Sequence, residues 1–446
     1  MSTVAITPDE KRVCDTIHRR RGELIQLASR LVSFDTTARM PDEPSRDERA
    51  LQEYLAARLN TAGAEIDLWE PSRDEMAGKP LVPPGLSFEG RPQLVARFPS
   101  KGDGKALMFN GHIDVVSVEP REAWTSDPFK AEIREGQLYG RGACDMKGGV
   151  ASMVFAAEVL ADLSIPLSGD LLVVTNTDEE SSGAGASAVV ERGIEADAGI
   201  VTEPTGFDVW IACRGSEYGV LRVPGRPGHA EVQQPPWHVG GAVNAIEKAT
   251  VAIDAMRSLR EEWAKRPEHH HPYLSPPSIL PTMARAGEWQ VSYPASCDLT
   301  FALLYLPVQA DEQGWGSKVR EEAEDWIRRE TAKDDWLRQN EVTFEWWMNP
   351  VMPLEIGESE PIVDLTLSAS ADVGRYGRRS GLDSWYDGAT FTLLADIPSI
   401  AYGPSGFQSG GASVAHTIDE YVPVDDLVAC AQGLAVTAMR FCNRAE

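Results

Sequence analysis

The chain has 446 residues, with 68 acidic against 42 basic side chains and a formal net charge of −26. At roughly 100–200 residues per domain that is two or three domains, and 42% hydrophobic with 25% charged residues is a globular composition. These figures exclude a disordered, fibrous or membrane-spanning chain, and the acidic excess excludes a general nucleic-acid or anionic-membrane binder, because the summed field repels polyanions.

Six cysteines (Cys14, Cys144, Cys213, Cys297, Cys430 and Cys442) form no CxxC pair, so neither a thiolate metal site nor a redox motif is legible. The N-terminus has no apolar h-region, and no run approaches the ~18 apolar residues of a membrane span. The expected location is the cytoplasm.

In chain order, Asp9 to Val32 has the spacing of one amphipathic helix, and Arg46 to Ala62 that of a second. Pro71 to Gly90 holds Pro71, Pro80, Pro83 and Pro84 with Gly78, Gly85 and Gly90, and reads as a loop or insertion. Strands are predicted at 93–98, 106–109, 171–174 and 199–201, with a helix over 148–162. That alternation gives an α/β domain around a mostly parallel sheet. From residue 208 to 349 the pattern changes to strand 219–224, helix 239–263, strands 278–284 and 297–305, helix 316–331 and strand 342–347. This β-α-β-β-α-β order is that of a ferredoxin-like α+β domain. The α/β character returns over 350–446. A smaller domain (208–349) is therefore inserted into a larger one (1–207 and 350–446).

Five places carry chemistry, each just after strand-like sequence. In Asn110-Gly111-His112-Ile113-Asp114, residues i and i+2 of an extended segment face the same way. An imidazole that ligates a metal usually passes its other N–H to an acceptor such as a carboxylate. Tyr139-Gly140-Arg141-Gly142-Ala143-Cys144-Asp145-Met146-Lys147-Gly148-Gly149 sets Asp145 among glycines that permit unusual backbone. A helix follows, so Asp145 can equally serve as a helix cap. Asp178-Glu179-Glu180 puts three adjacent carboxylates at a strand end, which is costly beside a strand unless a cation sits there. The remaining two are Thr202-Glu203-Pro204-Thr205 and Ala415-His416-Thr417-Ile418-Asp419-Glu420, the latter after Gly403-Pro404-Ser405-Gly406. Ligand sites of open α/β sheets lie beyond the carboxyl ends of the strands. A nitrogen and oxygen donor set without thiolates suits Zn²⁺, Co²⁺ or Mn²⁺ in an open, catalytic site.

Taken in order, these motifs resemble the M20 family of metallopeptidases and amidohydrolases over nearly the whole chain. The resemblance implies two divalent metal ions, Zn²⁺ foremost with Co²⁺ or Mn²⁺ as alternatives. It places His112 and Glu203 on one ion, Glu180 and His416 on the other, and Asp145 bridging them. Glu179 matches the general base, Asp114 the carboxylate behind His112, and Asp145–Met146 a cis peptide. Residues 208–349 resemble the lid and dimerisation domain, in which Gly228-His229-Ala230 matches a histidine that polarises the substrate carbonyl. The implied activity is hydrolysis of an amide in an N-acyl amino acid or related N-acyl or carbamoyl compound. A di- or tripeptidase is the runner-up, and a non-catalytic binding relative is disfavoured because no ligand is missing. The implied partners are a small-molecule substrate and a second copy of the chain.

Two departures stand out. The lid segment Asp298 to Pro307 lacks the arginine with which relatives bind a substrate carboxylate, leaving Arg375, Arg378 or Arg379 to replace it. Trp385-Tyr386-Asp387-Gly388-Ala389 stands where better-known deacylases have a Gly-rich loop. Trp289, Trp346, Trp347 and Trp385 hint at a bulky acyl group. His238 and the run His269 to His271 match nothing and are expected on the surface.

Overall fold

The computed structural model describes residues 6–40, 43–347, 350–408 and 411–444. The chain forms two units: Met1–Ile211 with Glu355–Gly381 and Tyr386–Glu446, and Ala212–Leu354 with Leu382–Trp385.

Strands Leu107–His112 and Leu171–Asn176 are buried at every position, as runs such as Leu-Met-Phe and Leu-Leu-Val-Val require when a sheet is covered on both faces. The sheet of the larger unit runs in the order Glu65–Trp69, Gln93–Phe98, Leu171–Asn176, Leu107–His112, Ala198–Val201, Ser399–Ala401, Val209–Cys213. Its four central strands are mutually parallel. Antiparallel strands flank them: Gln93–Phe98 beside Leu171–Asn176, and Trp210 opposite Ala401. This is the expected α/β architecture, and it sends four carboxyl-terminal strand ends to one edge. Strand 106–109 is longer than its apolar run suggests, because Asn110, Gly111 and His112 stay paired with the sheet.

Helix Lys147–Asp162 packs against Arg21–Val32 and Val424–Cys442. The continuous helix expected over 9–32 is two helices, Pro8–Arg19 and Arg21–Val32. The break falls at Arg20 (φ −93°, ψ 16°), whose guanidinium bonds Glu23 at 2.8 Å and Asp162 at 2.7 Å and so anchors the corner. Within the Pro/Gly-rich stretch 71–90, Ser72 caps a one-turn helix, Arg73–Met76. The stretch is tied down by Met76, Leu86 and Phe88, which pack against Ala184 and Ala188.

In the smaller unit an antiparallel sheet runs in the order Ser278–Ala286, Ser296–Tyr305, Gly215–Pro224, Thr343–Trp346. Helices Ala245–Trp263 and Ser317–Thr331 complete the ferredoxin-like order, with a core that includes Leu221, Met256, Trp263, Phe301 and Ile327. The first helix starts six residues later than expected, at the cap Asn244, which accepts the Ile246 N–H at 3.0 Å; Gly240 and Gly241 precede it. Trp346 belongs to this core, edge-on to Phe301 at 5.1 Å with its Nε1 donating to Glu324 at 2.7 Å. Trp289 and Trp347 are exposed. Against expectation, His269 is buried, its Nδ1 3.1 Å from the Trp263 carbonyl, whereas His238 and His270 are exposed. All six cysteines are buried thiols without disulfides.

The last helix of the larger unit is tied to the first by charge. Arg440 on Val424–Cys442 bonds Glu10 on Pro8–Arg19 at 2.8 Å and Asp372 at 2.7 Å, with all three side chains largely buried. Burial opposes ionisation of Glu10, but Arg440 and the Thr7 amide outweigh it and hold the carboxyl below its usual range. Arg440→Ala is expected to cost about 3–5 kcal/mol in urea unfolding. Because the folded Glu10 has the lower pKa, its contribution is present above the unfolded carboxyl's pKa and disappears as pH falls through the folded value.

Candidate metal centre

All five motifs of the larger unit meet at the carboxyl ends of the parallel strands. His112 ends its strand, Glu179 and Glu180 follow Asn176, and Glu203 follows Val201. Asp145 lies just before helix Lys147–Asp162, whose N-cap is Met146, so it is not a capping residue; the Asp145–Met146 peptide is cis.

Two groups of potential ligands share Asp145: His112 with Glu203, and Glu180 with His416. Asp145 Oδ1 is 3.2 Å from His112 Nε2, and its Oδ2 is 3.4 Å from His416 Nε2. His112 Nε2 is also 3.9 Å from Glu203 Oε1, and His416 Nε2 is 3.1 Å from Glu180 Oε2. Glu179 Oε2 lies 3.9 Å from His112 Nε2, yet Glu179 belongs to neither group. His112 Nδ1 is 3.0 Å from the main-chain carbonyl of Asp114. A carbonyl only accepts, so Nδ1 carries the proton and Nε2 presents its lone pair to the centre.

The partner of His112 is thus the carbonyl, whereas the Asp114 carboxylate is 3.6 Å away. That carboxylate accepts the N–H groups of Glu179 and Glu180 at 3.3 and 3.1 Å. Asp114 therefore links the His112 strand to the next acidic turn.

The electrostatics call for positive charge. Burial pushes Glu179 and Glu203 well above the usual carboxylate range, with neighbouring carboxylates adding to it and His112 countering. Burial likewise pushes Asp114 up to about 7. Hydrogen bonds to Asp145 and Glu180 raise His416 to about 10. Burial also opposes ionisation of Asp145, but the two imidazoles hold its carboxyl low. Glu180 Oε1 and Glu203 Oε1 are buried without a hydrogen-bond partner. Such unpartnered carboxylate oxygens between two imidazoles fit divalent cations.

Several supporting residues lie outside the sequence motifs or had no role assigned within them. Glu420 Oε1 accepts the Cys144 and Asp145 N–H groups at 2.8 and 2.9 Å, and its Oε2 accepts Gly142 N–H at 3.1 Å and buried Arg141 at 2.6 Å. Gly142 has φ +77° and Gly149 lies where a Cβ would stand 2.0 Å from the Thr202 carbonyl, so both need glycine. Asn110 donates to Asn176 at 2.7 Å, and Asn176 donates to the fully buried Asp387 at 2.7 Å. Burial holds Asp387 up at about 6. In the sequence Asp387 falls in the stretch Trp385 to Ala389 already singled out, and it stands before Gly388, where a helix starts.

The remaining candidates belong to neither ligand group. His229 is an exposed residue of the smaller unit whose Nδ1 accepts the Glu231 N–H at 3.3 Å. Of the arginines offered as substitutes for the absent lid arginine, Arg375 pairs with Asp426 at 2.7 Å and Arg379 with Asp364, whereas Arg378 is exposed, 3.6 Å from Asp208.

The sequence model of Peptidase family M20/M25/M40 matches residues 108–440. The chain belongs to this family. A Bacillus subtilis relative, N-formyl-4-amino-5-aminomethyl-2-methylpyrimidine deformylase, is 27% identical with 96% of each chain covered. Acetylornithine deacetylase of Myxococcus xanthus is 28% identical, covering 96% of this chain and 99% of its own. In fold, the chain is similar to a dinuclear metal-binding M20 peptidase of Bacillus subtilis, with TM-score 0.63, 14% identity, and coverage of 95% and 98%. This M20 chain is an amide-bond hydrolase. Its candidate metal cluster stands at the strand ends that carry the family motifs.

Glu420→Ala would leave the Arg141 guanidinium and three N–H groups without their acceptor. We expect a loss of about 3–5 kcal/mol, measured by urea unfolding, with Glu420→Gln losing less.

Proposed function

We propose that the two groups sharing Asp145 hold two divalent cations, Zn²⁺ foremost with Co²⁺ or Mn²⁺ as alternatives, and that the chain hydrolyses an N-acyl amide with no free carboxylate, an N-formyl amine being the leading case. The observation that carries the hydrolytic reading is the division of Asp145, one oxygen toward each histidine group. When bound, the cations would supply Lewis acidity and a water of lowered pKa.

The chain's residues take the remaining roles. His112 and Glu203 bind on one side, Glu180 and His416 on the other, and Asp145 binds both. Glu179 stands outside both groups and next to His112, so its carboxylate accepts a proton from the attacking water and returns it to the leaving amine. Asp114 holds the backbone of Glu179 and Glu180. His229 is proposed to donate to the substrate carbonyl oxygen, on the strength of its motif. Water adds to the carbonyl and the C–N bond breaks, giving a free amine and, from an N-formyl group, formate.

Two observations favour a substrate without a carboxylate. Strand Ser296–Tyr305 contains no arginine, and Arg375 and Arg379 are paired with acids. The deformylases of Bacillus subtilis and Halalkalibacterium halodurans match over 96% of this chain and of their own. N-acyl amino acid deacylation is the second reading, supported by the equally extensive match to acetylornithine deacetylase. A homodimer through the smaller unit accompanies the proposal on the family resemblance, and a monomer in sedimentation equilibrium would refute it.

Substrate class is read with an amide panel crossing formyl, acetyl and succinyl groups with amines that have or lack a carboxylate. We expect kcat/KM at least ~10-fold higher for the carboxylate-free N-formyl amines, and the reverse order returns the chain to amino-acid deacylation. Glu179→Gln should lower kcat by about 10²–10⁴-fold while metal content stays at the wild-type level. Glu180→Ala and His416→Ala should lower the metal content itself, measured by elemental analysis after dialysis.

A further inference from the structure

The turn that carries Glu179 is gripped by residues that no motif contains. Strand Leu171–Asn176 ends, and Thr177 and Asp178 follow before Glu179 and Glu180. Asp178 has φ +65°, a left-handed conformation that a side chain with a Cβ disfavours. Something must hold it there.

The grip comes from the start of the neighbouring strand, Gln93–Phe98. Gln93 Oε1 accepts the Thr177 N–H at 3.0 Å, while its Nε2 donates to Thr177 Oγ1 at 3.0 Å and to the Arg91 carbonyl at 3.0 Å. Arg91 Nη1 pairs with Asp178 Oδ1, the two side chains being 2% and 6% exposed. Thr177 Oγ1 donates to the other oxygen, Asp178 Oδ2, at 2.7 Å. The Asp178 carbonyl in turn accepts the N–H groups of Ser182 and Gly183 at 3.0 and 2.7 Å, closing the turn after Glu180. Both carboxylate oxygens of Asp178 are therefore engaged within the turn, on a side chain that is almost fully buried.

We propose that Arg91 is a positioning residue. Through Asp178 it fixes the left-handed turn and with it the direction of the Glu179 carboxylate, so that it governs turnover without touching metal or substrate. The proposal rests on Glu179 being the proton acceptor. Without Arg91, Asp178 Oδ1 loses its partner and only Thr177 Oγ1 still holds the carboxylate, so the turn relaxes toward negative φ and redirects the Glu179 carboxylate that follows it. The Asp114 carboxylate still holds the Glu179 and Glu180 N–H groups, so the turn stays joined to the centre and what changes is the direction of the Glu179 side chain. A displacement of about 1 Å at a reacting group costs on the order of 10²-fold in rate.

The test uses the full chain loaded with Zn²⁺ and the amide of the panel that the wild type cleaves fastest. Arg91→Ala should lower kcat by about 10²-fold, with KM and metal content unchanged. Asp178→Asn, which keeps an acceptor for Arg91, should lose far less than Asp178→Ala. The discriminating variant is Arg91→Ala in a Glu179→Asp background. If both act through the one carboxylate, the second change adds little to the first; a general structural role adds its full loss again. A wild-type kcat for Arg91→Ala, or full additivity in the double variant, overturns the proposal. If Arg91→Ala does not fold, Arg91→Met, which keeps the stem but no donor for Asp178, carries the same measurements, and unchanged turnover there overturns it too. Full turnover in Glu179→Gln refutes the base assignment instead, independently of what Arg91 does.

Discussion

Asp114, Asp145, Glu179, Glu180 and Glu203 converge on two imidazoles, and repulsion among these carboxylates would scatter them unless their backbones were held by other forces. The parallel strands provide the first restraint. Strands paired on both sides, with every residue of two of them buried, deliver His112 and the turn after Asn176 to fixed points. Moving a ligand away from its neighbours would require slipping a strand, and a one-residue slip would turn its buried side chains to the wrong face.

A second restraint is made of groups that face the centre from behind. Arg141 with Glu420, the Asn110–Asn176–Asp387 chain and the carbonyl of Asp114 each fix one ligand-bearing segment. They share a logic: a buried polar group is expensive alone and rigid once satisfied. Each of these partners spends at least one hydrogen bond on its neighbour, while Glu180 Oε1 and Glu203 Oε1 are buried without one.

How legible this was follows from distance along the chain. The candidate ligands could be read because His112, Glu179, Glu180 and Glu203 sit at or just after apolar strands and Asp145 and His416 lie in short motifs, and the alternation of strand and helix gave the α/β class and the ferredoxin-like order. The frame could not be read. Glu420 meets Asp145 across 275 positions, Asn176 meets Asp387 across 211, and Arg91 meets Asp178 across 87. No local pattern announces such pairs. Arg20 shows the same limit at short range: periodicity carries a helix smoothly through it, and the corner depends on Asp162, 142 positions away. His269 was misplaced because a histidine run beside prolines looks solvated, whereas the Trp263 carbonyl offers it a buried partner.

The two histidines differ sharply in exposure: the His112 side chain is 1% exposed and that of His416 is 54%. His416 also comes from a loop rather than a strand, at φ +62°. The centre is therefore lopsided. An ion held on the His112 side would be walled in by the sheet, and its release would require moving buried backbone. One held on the His416 side would reach bulk water by the swing of one loop residue. On the proposed two-ion reading, exchange of the ions would run on different clocks, and a chelator would strip the outer one first.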